Sequence, residues 1–165
     1  MKNKLNGYWP LLLLLIWSCS SDKITEKAQD TISYNAAPQF NADSAFSFIQ
    51  QQVDFGPRVP NTPGHQKTKD WIVTKLEGYG LQVIKQDFQA KTYDNLTWNL
   101  TNIIASYKPE ATKRVLLAAH WDTRRIADKD TERIDQPIDG ANDGGSGVGV
   151  LLEIARILTS DTLQP

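Results

Sequence analysis

The stretch from Arg114 to Leu158 constrains this chain more than any other. It opens on an uninterrupted apolar run, Val115 to Ala119, of the length expected for a strand buried on both faces. His120 and Asp122 follow at the carboxyl end of that strand. In open α/β sheets the ligand crevice lies outside the carboxyl ends of the strands, so a site is expected there. A polar loop leads to a second cluster, Gly140-Ala-Asn-Asp-Gly-Gly-Ser-Gly147, which opens a helix. Glycines let the backbone turn sharply and approach a neighbour closely. One carboxylate, Asp143, sits among them.

Upstream, Asn41 reads as an N-cap for a helix that carries Ala45, Phe46, Ile49 and Val53 at helical spacing. Asp54-Phe-Gly-Pro57 stops it, and Arg58 to Gly64 reads as a loop. Thr62-Pro63 supplies the cap and first turn of a second helix, with Trp71, Ile72, Leu76 and Tyr79 on one face and an end at Gly78 or Gly80. Leu81 to Phe88 and Leu96 to Tyr107 are rich in Val, Ile and aromatics and read as strands. In the last helix Val148, Leu151, Leu152, Ala155 and Leu158, with Val150 and Ile154, are apolar nearly all round, which predicts burial. The order helix, helix, strand, strand, strand, helix predicts an α/β class: a three-layer α/β/α sandwich around a mixed sheet. With so apolar an ending, the sandwich is expected to be incomplete at its C-terminus, residues 41–165 forming the N-terminal part of a domain.

The residue types at the motif suit a metal. Catalytic zinc sites take His nitrogen and carboxylate oxygen from about three protein ligands and keep one position open. Asp143 is a ligand candidate, although an aspartate there can equally cap free amides at the helix start. His120 is a second, more ambiguous candidate. Asp128, Asp130, Glu132, Asp135 and Asp139 crowd the intervening loop, as a solvated run or as a rim selecting a cationic peptide N-terminus. His65 reads as a surface histidine and Glu153 as the polar stripe of the last helix. A formal net charge of −1 gives no reason to expect nucleic acid.

His120-Trp-Asp-Thr-Arg124 followed by Pro137-Ile-Asp-Gly-Ala-Asn-Asp143 resembles the zinc aminopeptidase clan. Within that clan it is most similar to the bacterial glutaminyl-peptide cyclotransferases, the animal-type glutaminyl cyclases. The resemblance reaches back to about Phe55, and Arg125 departs from it where the cyclase pattern would have proline. It implies a zinc-dependent acyltransferase that converts the N-terminal Gln of peptides to pyroglutamate with release of ammonia. Asp143 would then be a metal ligand, Asp122 a supporting partner, and His120 a ligand only in a dinuclear site. No catalytic residue is expected within this chain: the acid–base glutamate and the remaining ligands would come beyond Pro165, leaving the truncated form inactive. The rivals are a zinc aminopeptidase cleaving N-terminal residues, and a non-catalytic envelope lipoprotein.

The N-terminus has the layout of a leader. Lys2 and Lys4 precede an apolar core, Leu11 to Ile16, that is too short to span a bilayer, which takes about 20 residues. Ile16-Trp17-Ser18-Cys19 resembles a bacterial lipobox, and the only cysteine cannot form an internal disulfide. Residues 1–18 are therefore expected as signal peptide and 19–40 as a lipidated N-terminus with a flexible polar tether. Such a product would be anchored in the bacterial cell envelope, at the periplasm or the outer membrane. Mass spectrometry of the membrane fraction is expected to show a diacyl or triacyl mass on Cys19. A soluble product cleaved elsewhere, with a free Cys19 thiol, would contradict the assignment.

Overall fold

The computed structural model describes residues 37–160. The leader, Cys19 and most of the tether lie outside the described residues. Two helices come first, α1 (Ala42–Asp54) and α2 (Pro63–Gly78). Both start as the cap chemistry predicts. The Asn41 side chain accepts from the Ser44 N–H at 3.0 Å, and the Thr62 hydroxyl accepts from the His65 N–H at 3.4 Å with Pro63 in the first turn. Along α1 the buried positions are Ala45, Phe48 and Gln52. Phe46, expected on the inner face, is 66% exposed, because the face that meets α3 is the 45–48–52 row. On α2, Ile72, Val73 and Leu76 are buried, and Trp71 and Tyr79 pack against the core.

Strands β1 (Gln82–Lys91) and β2 (Thr97–Ser106) pair antiparallel, in register from Gln82 opposite Ser106 to Lys91 opposite Thr97. Helix α3 (Gly147–Leu158) closes the core, where Phe48, Ile72, Leu76, Val148, Leu152 and Ala155 meet. It approaches α1 closely at Gly149, where a Cβ would stand 2.8 Å from the Ala45 carbonyl oxygen and from Ile49. The α/β class is as expected, with a sheet of two antiparallel strands among the described residues.

One expected element does not form. Val115 to Ala119 has no ladder partner among the described residues and is no strand. Val115 and Leu116 are each 87% exposed instead of buried on both faces. A strand exists only through its neighbours' hydrogen bonds, and the only ladder among the described residues is the one between β1 and β2. An apolar groove of about 810 Å³ results between β2, α3 and this segment, lined by Ile103, Trp121, Val148, Leu152 and Leu158 among others.

Glu153, placed by its spacing on a polar stripe, is instead fully buried. Its carboxylate accepts two hydrogen bonds from the Arg156 guanidinium at 2.7 Å each and one from the Asn41 N–H at 3.0 Å, tying α3 to the start of α1. The Arg156 bonds, joined by the Asn41 amide, hold the Glu153 pKa below the ordinary glutamate value against the desolvation that would raise it. A lowered carboxylate pKa stabilises the fold above the unfolded-state pKa, about 4.3, and that contribution is lost as pH falls through the folded one. The stability difference between the wild type and Glu153→Gln, followed by urea unfolding, is therefore expected to shrink below about pH 4.3. A difference that stays constant from neutral pH into strong acid would contradict this role.

Candidate metal centre

Two chain segments build the site, and Arg58 joins them. Its side chain is fully buried and donates to three main-chain carbonyls: Nε to Trp121 at 2.9 Å, Nη1 to Asp139 at 2.7 Å and Nη2 to Gly140 at 2.6 Å. The Arg58 carbonyl in turn accepts from the Thr123 N–H at 3.1 Å. Burial lowers the Arg58 pKa, and the carboxylates of Asp122, Asp139 and Asp143 pull it back up. At pH near 7 the group remains a cation, as arginine side chains in proteins do.

The second segment is a wide turn, Ala141–Ser146, entered at Gly140 in the left-handed conformation (φ 60°). Asp143 (φ −78°, ψ 98°) and Gly144 (φ 89°) leave the helical path within it. Gly144 is where the two segments touch. A Cβ there would stand 3.0 Å from His120 Cε1 and 3.1 Å from the Asp122 carbonyl oxygen. Buried Gln52 of α1 holds the turn from below, its amide donating to the Gly145 carbonyl at 3.1 Å.

His120 thus sits between two carboxylates. Nε2 faces Asp143 Oδ1 at 3.0 Å, while Nδ1 lies 3.4 Å from Asp122 Oδ1 and 3.2 Å from the Asp122 carbonyl oxygen. Each ring nitrogen of His120 faces a carboxylate oxygen. All three side chains are open to solvent on one side, at about half exposure for His120 and Asp143. The structure brings together the three residues singled out by the motif: two facing donors, with Asp122 behind the imidazole. Among the described residues no group of three or more His, Cys, Asp or Glu side chains is arranged to hold a metal ion by itself.

His65 departs from its expected place. It is 6% exposed and stacks on Trp121, the residue between His120 and Asp122, with ring centroids 4.1 Å apart. Trp121 is fixed at its other end by its indole N–H, which donates to the Thr101 carbonyl at 3.1 Å. Burial lowers the His65 pKa, in keeping with a neutral ring packed as an aromatic. The acidic loop is partly spent on itself: Asp128 accepts from Arg124 at 2.6 Å, and Asp130 accepts from the Glu132 and Arg133 amides. Arg125 reaches the β1–β2 turn and pairs with Asp94 at 3.0 Å. Arg58 is the site residue that sequence reasoning passed over, hidden in what read as a loop.

This geometry can be set beside known proteins. Residues 102–165 match the model of Peptidase family M28. The solved glutaminyl cyclase of Porphyromonas gingivalis is 50% identical with a TM-score of 0.74, over 78% of this chain and 45% of that one. A structure described as a leucine aminopeptidase precursor from Bacteroides thetaiotaomicron is 51% identical with a TM-score of 0.73, over 78% and 44%. A probable zinc metalloprotease of Leptosphaeria maculans is 26% identical over 136 residues, 73% of this chain and 31% of that protein. The chain therefore spans under half the length of each of these relatives.

Gly144 offers a test of the contact between the segments. Gly144→Ala adds a Cβ against the His120 ring on a backbone that L residues rarely adopt, at a cost of roughly 1–3 kcal/mol from the backbone alone. The urea midpoint is expected to fall accordingly, with the His120 imidazole NMR signals displaced. An unchanged midpoint with unmoved His120 signals would show that the turn does not press on the histidine.

Proposed function

We propose that this chain supplies the N-terminal part of a zinc-dependent glutaminyl-peptide cyclotransferase. The observation that carries the reading is the 3.0 Å approach of His120 Nε2 to Asp143 Oδ1, on two segments that Arg58 and Gly144 hold together. About 50% identity to a solved glutaminyl cyclase across three quarters of the chain supports it.

Imidazole nitrogen and carboxylate oxygen are zinc donors, and the two lie at the separation that neighbouring ligands of one small ion or a hydrogen-bonded pair would share. In a single-zinc centre Asp143 is the ligand this chain provides, with His120 hydrogen-bonded beside it; in a dinuclear centre His120 binds as well. Asp122 keeps the imidazole oriented through Nδ1 in either case. Bound zinc would supply Lewis-acid polarisation of the substrate's γ-carboxamide carbonyl. The net reaction joins the α-amine nitrogen to the carbonyl carbon of the side-chain amide (Cδ), breaks that carbon's bond to the amide nitrogen and releases that nitrogen as ammonia. The amine proton has to move to the leaving nitrogen. We assign the acid–base group and the remaining ligands to sequence that the relatives carry outside the matched span. The 165-residue chain alone is thus expected to be inactive.

The aminopeptidase reading is kept because a neighbour of equal similarity is described as one. Product mass separates the two. With the protein at the full length of its cyclase relatives and a Gln-initiated peptide as substrate, the product is expected to be lighter by one ammonia, with every backbone bond intact. Asp143→Ala is expected to abolish this, and His120→Ala to lower it by about one to two orders of magnitude. Removal of a whole residue, with the two variants equally damaged and two zincs bound, would establish the aminopeptidase instead.

A further inference from the structure

Arg58 is a cation taken fully out of water, and among the described residues none of the ion pairs involves it. Desolvating a charge without a directly bonded counter-charge is expensive. A residue whose only task was to fill space there would be apolar. Nor can it serve as an anchor for an anionic substrate group. The side chain has no exposed surface, and its donors are spent on Trp121, Asp139 and Gly140. What those three acceptors share is location. Trp121 lies between His120 and Asp122; Asp139 and Gly140 lead directly into the turn that carries Asp143.

We propose that Arg58 is the positioning residue of the metal centre, its guanidinium fork setting the gap between the His120–Asp122 segment and the Asp143 turn. The inference rests on the zinc reading above for its functional consequence. The planar fork suits this task. Nε reaches one segment while Nη1 and Nη2 reach consecutive carbonyls of the other, and a single lysine ammonium cannot span both. Gly140 completes the fit, since a Cβ at that position would stand 2.7 Å from Nη2. The guanidinium also puts fixed positive charge near Asp122, Asp139 and Asp143, offsetting the crowding of two carboxylates, Asp122 and Asp143, around one imidazole.

The test compares the protein at the full length of its cyclase relatives with its Arg58→Lys variant in two ways. Zinc is titrated while the His120 imidazole is followed by NMR, and amide hydrogen exchange is read across residues 120–123, 140–146 and α3. In Arg58→Lys the apparent zinc dissociation constant is expected to rise about 10–100-fold, the range for partners that orient metal ligands. Exchange is expected to quicken by about tenfold in both site segments (~1.4 kcal/mol of local stability) and to stay unchanged in α3. Unchanged zinc affinity would overturn the proposal, as would protection lost equally over α3 and the site, the signature of a mere strut. If the wild type shows no zinc response at His120, the zinc reading fails, and the exchange pattern alone decides positioning: localised loss upholds it, uniform loss rejects it. Should Arg58→Lys not fold, Arg58→Gln, which keeps a donor without the charge, is read by the same criteria.

Discussion

Three main-chain carbonyls from segments almost twenty residues apart converge on one buried guanidinium, that of Arg58, and the candidate site depends on that convergence. Neither segment belongs to a helix or strand at the point where it carries its donor. Residues 114–123 have no ladder, and Asp143 sits where the wide turn leaves helical geometry. Irregular backbone of this kind must find hydrogen-bond partners outside secondary structure. Arg58 provides them through its guanidinium and through its own carbonyl, which accepts from the Thr123 N–H, and Gln52 through its side-chain amide. Glycine then permits the close approach, with Gly144 against His120 and Gly140 against Arg58 and Thr123. The hydrophobic core of α1, α2 and α3 supports this arrangement from one side, through Gln52 and through the Gly149 contact with α1.

Features encoded over a few neighbouring residues were legible in the sequence. Asn41 and Thr62-Pro63 cap their helices as read, the two strands pair where their Val, Ile and aromatic content suggested, and His120, Asp122 and Asp143 are brought together as the double motif implied. Features set by distant partners were not. His65 looks like any histidine at a helix start, and only the fold lays Trp121 across it. Glu153 is acidic within an apolar helix, and nothing local shows that Asn41, 112 positions away, will donate to it. Arg58 follows the same logic. Its flanking Pro57 and Pro60 mark a loop, while its three acceptors lie more than sixty residues downstream. Val115 to Ala119 fails in the opposite direction: its composition asks for neighbours on both flanks, and the described residues supply none.

The relatives explain why the site is open-ended. Each is more than twice as long as the part matched here, and the zinc reading proposed above asks for about three protein ligands, of which Asp143 and His120 supply two at most. The exposed apolar run and the groove beside α3 lie on the same stretch that leads to His120.

The account turns on whether Asp143, on its glycine-cradled turn, is a metal donor. The most direct measurement is a zinc-edge anomalous difference map from a crystal of the protein at the length of its relatives, grown with zinc. The account predicts a peak about 2.0–2.2 Å from an Asp143 carboxylate oxygen, with His120 beside it. A zinc bound elsewhere, with Asp143 bonded only to His120 or to the free amides of α3, would contradict it.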